Sequence, residues 1–160
     1  MTARRADTVR DPDLGMLAAR VLFAFQRELF TALAAQGHPR LRPRHGAVLA
    51  YLDRDGTRAT TLAARSGQHK QVIGTLVDEL VDLGYVERRH DPGDRRAKLV
   101  VPTESGLDML DKSAAVIATI DGRHADRVGV AAWDAFMSVF RTIADDQGQA
   151  PGPHVARPGG

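Results

Sequence analysis

One stretch, from Tyr85 to Val101, abandons the three–four spacing of apolar residues that governs most of the chain. Tyr85-Val86-Glu87-Arg88-Arg89 is short and strand-like, and His90-Asp91-Pro92-Gly93-Asp94 is a turn by its chemistry. Arg95 to Val101 then returns in alternation, with Ala97, Leu99 and Val101 facing one way and Lys98 and Val100 the other. The segment reads as a β-hairpin with a basic tip, set into a chain that is otherwise helical.

The helical parts follow from periodicity and from their stop signals. Leu14, Leu17, Val21, Phe25, Leu29 and Leu33 form one apolar stripe, closed by Gly37 and Pro39. A second helix starts near Pro43 and carries Val48, Leu49, Tyr51 and Leu52 before Asp53 to Gly56 breaks it. Thr60 or Thr61 caps a short third helix, Leu62 to Arg65, which stops at Ser66-Gly67. A fourth runs from about Lys70 to Leu83, with Val72 or Ile73, Leu76 and Leu80 on its stripe and Gly84 as the C-terminal stop. Thr103 caps a fifth helix, apolar early and polar late, that Gly129 ends. A sixth presents Trp133, Phe136 or Met137, Phe140 and Ile143 on one face.

The short third helix, the Gly67 turn and the fourth helix make a helix-turn-helix, and the hairpin directly after it is a wing. The expected fold is mainly α: a winged helix-turn-helix with a two-stranded β wing and N- and C-terminal dimerisation helices. The expected divisions are a flexible arm over 1–12, a helical dimerisation region over 13–37 and 103–146, a DNA-binding domain over 38–102 and a disordered tail over 147–160.

Composition narrows the function. The 160 residues include no cysteine, which excludes disulfides, cysteine-based zinc sites and thiol redox sensing. No apolar run approaches a membrane helix, no signal peptide is read at the N-terminus, and the expected location is the cytoplasm, at the nucleoid. The net charge of +2 is unevenly spread: residues 38–98 carry 12 basic and 8 acidic side chains, residues 99–160 carry 5 and 8. The middle of the chain is thus the part that prefers a polyanion. No phosphate-binding glycine loop, Gly-x-Ser-x-Gly elbow or His-Glu-x-x-His occurs, so neither enzymatic activity nor a cofactor is expected.

In a helix-turn-helix the second helix enters the major groove N-terminus first. The residues at that entrance are Gln68, His69, Lys70, Gln71 and Thr75. Glutamine pairs bidentately with adenine, and lysine reaches guanine acceptors. The wing tip offers Arg95, Arg96 and Lys98 for phosphates or a narrow minor groove. Thr61 completes the expected DNA-contacting set.

Thr61 to Thr103 resembles the winged helix of MarR-type transcription regulators. The resemblance rests on TLAARSG (61–67), LVDELVDLGYVERR (76–89) and HDPGDRRAKLVVPTESG (90–106). It implies a homodimer that reads a palindrome in double-stranded DNA, and a small aromatic or phenolic ligand that releases it. It assigns base contacts to Lys70, Gln71 and Thr75, minor-groove entry to Arg96, and wing support by pairing to Asp94. The chain departs from the family pattern in carrying His69 where a serine or threonine cap is usual and Thr75 where arginine is frequent.

The six histidines are scattered without metal-ligand spacing, so a structural or surface role is the expectation and no metal site is read. Asp121 and His124 stand three residues apart on the fifth helix, within pairing reach. His45, early in the second helix, and Arg42, in the basic Arg40–Arg44 connector, are the candidate ligand-binding residues. Leu14, Leu17 and Val21, with Trp133, Phe136 and Phe140, are the candidate dimerisation residues, because apolar faces near both chain ends need a partner surface. The alternative reading is a winged helix that docks another protein and does not bind DNA.

Overall fold

The structure, a computed structural model, describes residues 11–149. The arm expected over 1–12 and the tail expected over 147–160 lie almost wholly outside the described residues. The last helix continues through Gln149, past the boundary expected at 146.

The order of elements is α1 (Leu14–Ala35), a 3-10 turn (Pro43–His45), α2 (Gly46–Leu49), β1 (Thr57–Arg58), α3 (Ala59–Ser66), α4 (Lys70–Asp82), β2 (Val86–Asp91), β3 (Asp94–Pro102), α5 (Glu104–Val128) and α6 (Val130–Gln149). Local chemistry sets most of the boundaries. Asp13 caps α1, its carboxylate accepting the Met16 N–H at 2.9 Å. Thr103 caps α5 by accepting the Gly106 N–H at 3.2 Å, while its own hydroxyl donates to the Gly84 carbonyl at 2.6 Å. Helices α1 and α4 end alike. The His38 and Tyr85 N–H groups reach back to Leu33 and Leu80, each at 2.9 Å, across Gly37 and Gly84. Those glycines hold φ of 103° and 82°, a left-handed backbone that other residues adopt at a cost.

Three expectations change. The third helix begins at Ala59, so Thr60 and Thr61 lie inside it and cap nothing; the residue in the cap position is Arg58, which makes no side-chain cap. The cause is β1. Thr57 and Arg58 pair antiparallel with Val100 and Leu99, adding a third strand to the expected two in the order β1-β3-β2. Arg58 therefore leaves the sheet in an extended conformation and opens the helix at once. The alternation of β3 also fails at its base, where Val100, Val101 and Pro102 are all buried.

A single core joins the winged helix to the terminal helices. Leu29 and Leu33 of α1 and Met109 of α5 are buried with Val48, Leu62, Ile73, Leu80 and Val100. The α1 stripe thus divides: its C-terminal half enters the core, while Leu14, Leu17 and Val21 stay exposed. The first turn of α5 presses directly on the root of the wing. A Cβ on Gly106 would lie 2.1 Å from the Tyr85 carbonyl oxygen, so only glycine fits there.

Candidate nucleic-acid interface and the groove behind it

The recognition helix α4 starts at Lys70, with His69 in the cap position and no side-chain cap bond. Gln68, His69, Lys70, Gln71 and Thr75 are all exposed, and Thr61 is half-buried in α3. The Thr75 hydroxyl donates to the Gln71 carbonyl at 3.1 Å, which leaves its oxygen lone pairs for any outside donor.

The wing is braced by acids. Asp91 accepts the Gly93 N–H at 2.8 Å and Arg58 Nε at 2.7 Å. Asp94 accepts the Arg96 N–H at 3.0 Å and stands 3.9 Å from Arg58. Both acids therefore shape the turn, and the tighter ion pair belongs to Asp91. The turn hydrogen bond and Arg58 hold the Asp91 carboxyl below the usual range. Arg58 and Asp91 were not singled out from the sequence. They are 33 positions apart and meet only because β1 pairs with β3. At the far end of α4, Asp78 takes Arg88 of β2 at 2.7 Å, tying the recognition helix to the wing.

The cations of the winged helix divide into two groups. Arg44, Arg54, Arg58, Arg65, Arg88 and Arg89 each pair with a carboxylate, and Arg40 and Arg42 donate to backbone carbonyls. Among the described residues, Lys70, Arg95, Arg96 and Lys98 have no such side-chain partner. They stand at the start of the recognition helix and on the turn and second strand of the wing.

Behind this face an open groove of about 840 Å³ lies between α1, α2, α4 and α5. Its wall is largely apolar, with Phe25 and Phe30 from α1, Val72 from α4 and Ile117 from α5, and among the described residues its one charged residue is Arg44. Arg42 lines a smaller cavity of about 490 Å³ beside Phe23 and Arg27. His45 lines neither. It is 1% exposed, accepts the Arg42 backbone N–H on Nδ1 at 3.0 Å and places Nε2 3.0 Å from Glu79, the arrangement of a satisfied core histidine. His124 stacks on Trp133, with ring centroids 5.4 Å apart, rather than pairing with Asp121. Trp133, Phe136 and Phe140 continue that stack along α6.

Comparison with known proteins follows the same outline. The MarR family profile matches residues 41–97, from the end of the connector to the wing. The X-ray structure of a MarR-family transcriptional regulator from Rhodococcus sp. RHA1 is 30% identical, with a TM-score of 0.67, over 87% of this chain and 96% of that one. The chain belongs to the MarR family. Another structure similar to this MarR-family chain is CouR from Rhodococcus jostii RHA1 bound to p-coumaroyl-CoA, 28% identical with a TM-score of 0.71, covering 93% of this chain and all of that one. CouR bound to a 23-mer DNA duplex is likewise similar, at 26% identity and a TM-score of 0.66, over 82% of this chain and 92% of that one. The MarR-family match extends well beyond the winged helix, into the terminal helices that the family profile leaves out. Among the described residues, no helix of this MarR-family regulator is long and apolar enough to cross a membrane.

Proposed function

We propose that this protein is a sequence-specific DNA-binding repressor that acts as a homodimer on a palindromic operator and carries no reaction of its own. The observation that carries the reading is the division of its cations. Internal carboxylates and backbone carbonyls take the other arginines of the winged helix, and Lys70, Arg95, Arg96 and Lys98 are left for DNA. Gln71 and Lys70 supply base contacts in the major groove, Thr75 a third, and Arg96 enters the minor groove. Gln68, His69 and Thr61 contact the backbone at the entrance to the helix.

The homodimer is supported by the apolar residues that α1 and α6 leave exposed, including Leu14, Leu17, Val21, Phe136 and Phe140. A second copy is the simplest cover for faces at both ends of one chain.

The groove is the effector site in this reading. Its apolar wall and single arginine suit a small aromatic or phenolic anion. The complex of CouR with p-coumaroyl-CoA supports an aromatic ligand for a relative of this fold. Arg44 takes the ligand-facing role that the connector suggested for Arg42, and His45 supports it from inside.

The test is selection of bound fragments from sheared genomic DNA. A shared palindromic sequence among the recovered duplexes is the expected result. Recovery without any common sequence, or recovery of nothing, contradicts the reading and favours a winged helix that docks protein.

A further inference from the structure

A glycine stands in the interior of the recognition helix, and nothing inside the protein explains it. Gly74 is the fifth residue of α4, with four helical residues before it and eight after. Glycine is, after proline, the residue that a helix interior tolerates least. Gly67 and Gly84 answer to the fold through their left-handed backbone, and Gly106 through the Tyr85 carbonyl that a Cβ would strike. Gly74 does neither. Its φ is not positive, and a Cβ built on it meets no atom within 4 Å apart from its chain neighbours and the backbone of its own helix.

Its position shows what the bare backbone faces. Ile73, Leu76, Val77 and Leu80 form the buried side of α4. Residues three and four apart share a helix face, so Gly74 lies beside Lys70 and Gln71 one turn earlier and Asp78 one turn later, with Thr75 next to it. Those four neighbours are all exposed. The Thr75 hydroxyl donates to the Gln71 carbonyl at 3.1 Å, so its hydrogen is used within the helix, and Asp78 is held by Arg88 at 2.7 Å. Gly74 is thus a gap of one side chain in the face that α4 offers to a major groove.

We propose that this gap is a recess for the C5 methyl group of a thymine, which makes Gly74 a specificity-determining residue. The proposal rests on the reading of α4 as the helix that enters the major groove. Thymine is the base that projects a methyl group there. Helix backbone without a side chain is an apolar floor, because its peptide groups are committed to the helix ladder. A methyl that enters the recess leaves water and gains carbon contacts, whereas cytosine has only a hydrogen at that position and leaves the space empty. Gln71, one turn earlier, reads an adenine, and an adenine in the groove brings a thymine opposite it. The loss of helix propensity at Gly74 is in this way offset by a base contact that a Cβ would obstruct.

Removal of one methyl group from the DNA tests this without touching the protein. Selection from a random duplex library gives the preferred sequence, and each thymine of a half-site is then replaced in turn by deoxyuridine, which pairs identically. Fluorescence anisotropy should find a thymine in each half-site whose replacement weakens binding about fourfold, the worth of burying one methyl group. Gly74→Ala should lose that preference, because its Cβ fills the space of the methyl, while its affinity for random duplexes stays that of the parent. The same variant should melt a few degrees higher, since alanine suits a helix better and finds open space. A selected sequence in which no thymine responds to deoxyuridine overturns the recess. So does a Gly74→Ala variant that keeps the parent's preference at every thymine, or that melts below the parent. A library that yields no common sequence overturns sequence reading by α4 itself, and the recess with it.

Discussion

His38 Nδ1 lies 3.0 Å from the hydroxyl of Tyr85, and the two residues hold equivalent places: each directly follows the left-handed glycine that ends a helix. The pair brings the end of α1 to the root of the wing. Asp108 of α5 completes it from the other side, 3.0 Å from His38 Nε2, and Lys112 in turn bridges Asp108 and the Gln36 carbonyl at 2.6 and 2.9 Å. With the carboxylate accepting from Nε2–H, Nδ1 is the acceptor and Tyr85 the donor. Three elements that are far apart in sequence thus meet at one imidazole that is 4% exposed.

Tyr85→Phe removes the only hydroxyl in this chain of bonds and leaves a buried ring nitrogen without a donor. The expected loss is about 1–3 kcal/mol, the cost of an unsatisfied buried polar group. Urea unfolding at neutral pH measures it. A variant as stable as the parent would mean that the hydrogen bond contributes nothing to the junction.

Acid should weaken the same region. Lys112 first, and His38 after it, hold the Asp108 carboxyl below its ordinary 3.8; His45 first, and Arg44 after it, hold Glu79 below its ordinary 4.5. A carboxyl whose folded pKa is depressed stabilises the fold above its unfolded pKa, and that contribution disappears as pH falls through the folded value. The melting temperature should therefore drop as pH falls below about 5. Asp108→Asn should be less stable at neutral pH and show a shallower acid limb. A melting temperature in the variant that tracks the parent at every pH would remove this assignment.

The exposed apolar faces predict a mass of twice 17.3 kDa by light scattering at micromolar concentration. Phe140→Asp and Leu17→Asp each place a charge in the proposed dimer face, at a cost of several kcal/mol if it is buried there unpaired. Both should yield monomer or unfolded chain. A monomeric parent under the same conditions would contradict the dimer.

Gln71→Ala should cost about 1–3 kcal/mol on the selected operator and little on random duplexes, because the adenine edge that glutamine reads is absent from most sites. Competition binding against both duplexes separates the two. Equal weakening on all sequences would move Gln71 from base reading to backbone contact.

Much of this architecture was legible because its signals are local. Thr103, Gly84 and Gly129 mark helix ends through their own caps and backbone angles, and the wing turn is written in adjacent residues. The strand β1 was not legible: two residues, Thr57 and Arg58, carry no period, and their strand exists only through its pairing with β3. The site divides in the same way. Lys70, Gln71, Arg95 and Arg96 could be placed from the helix start and the turn. Arg44 and Glu79, like Arg58 and Asp91, stand more than thirty residues apart, and nothing short of the fold brings them together. The place of His45 in the second helix suggests a ligand residue, but Glu79 and the Arg42 N–H account for both of its nitrogens.

The central claim is that the unpaired wing cations hold DNA, and the salt dependence of binding tests it most directly. Affinity for an operator duplex, measured by fluorescence anisotropy over a range of salt, should fall steeply on a log–log plot, by about 0.9 units per phosphate neutralised. Arg96→Ala should flatten that slope by about one unit per subunit and weaken specific and random duplexes alike. A variant with the parent's slope and the parent's affinity for random DNA would show that Arg96 does not touch the phosphates, and the account of the wing would fail with the fold intact.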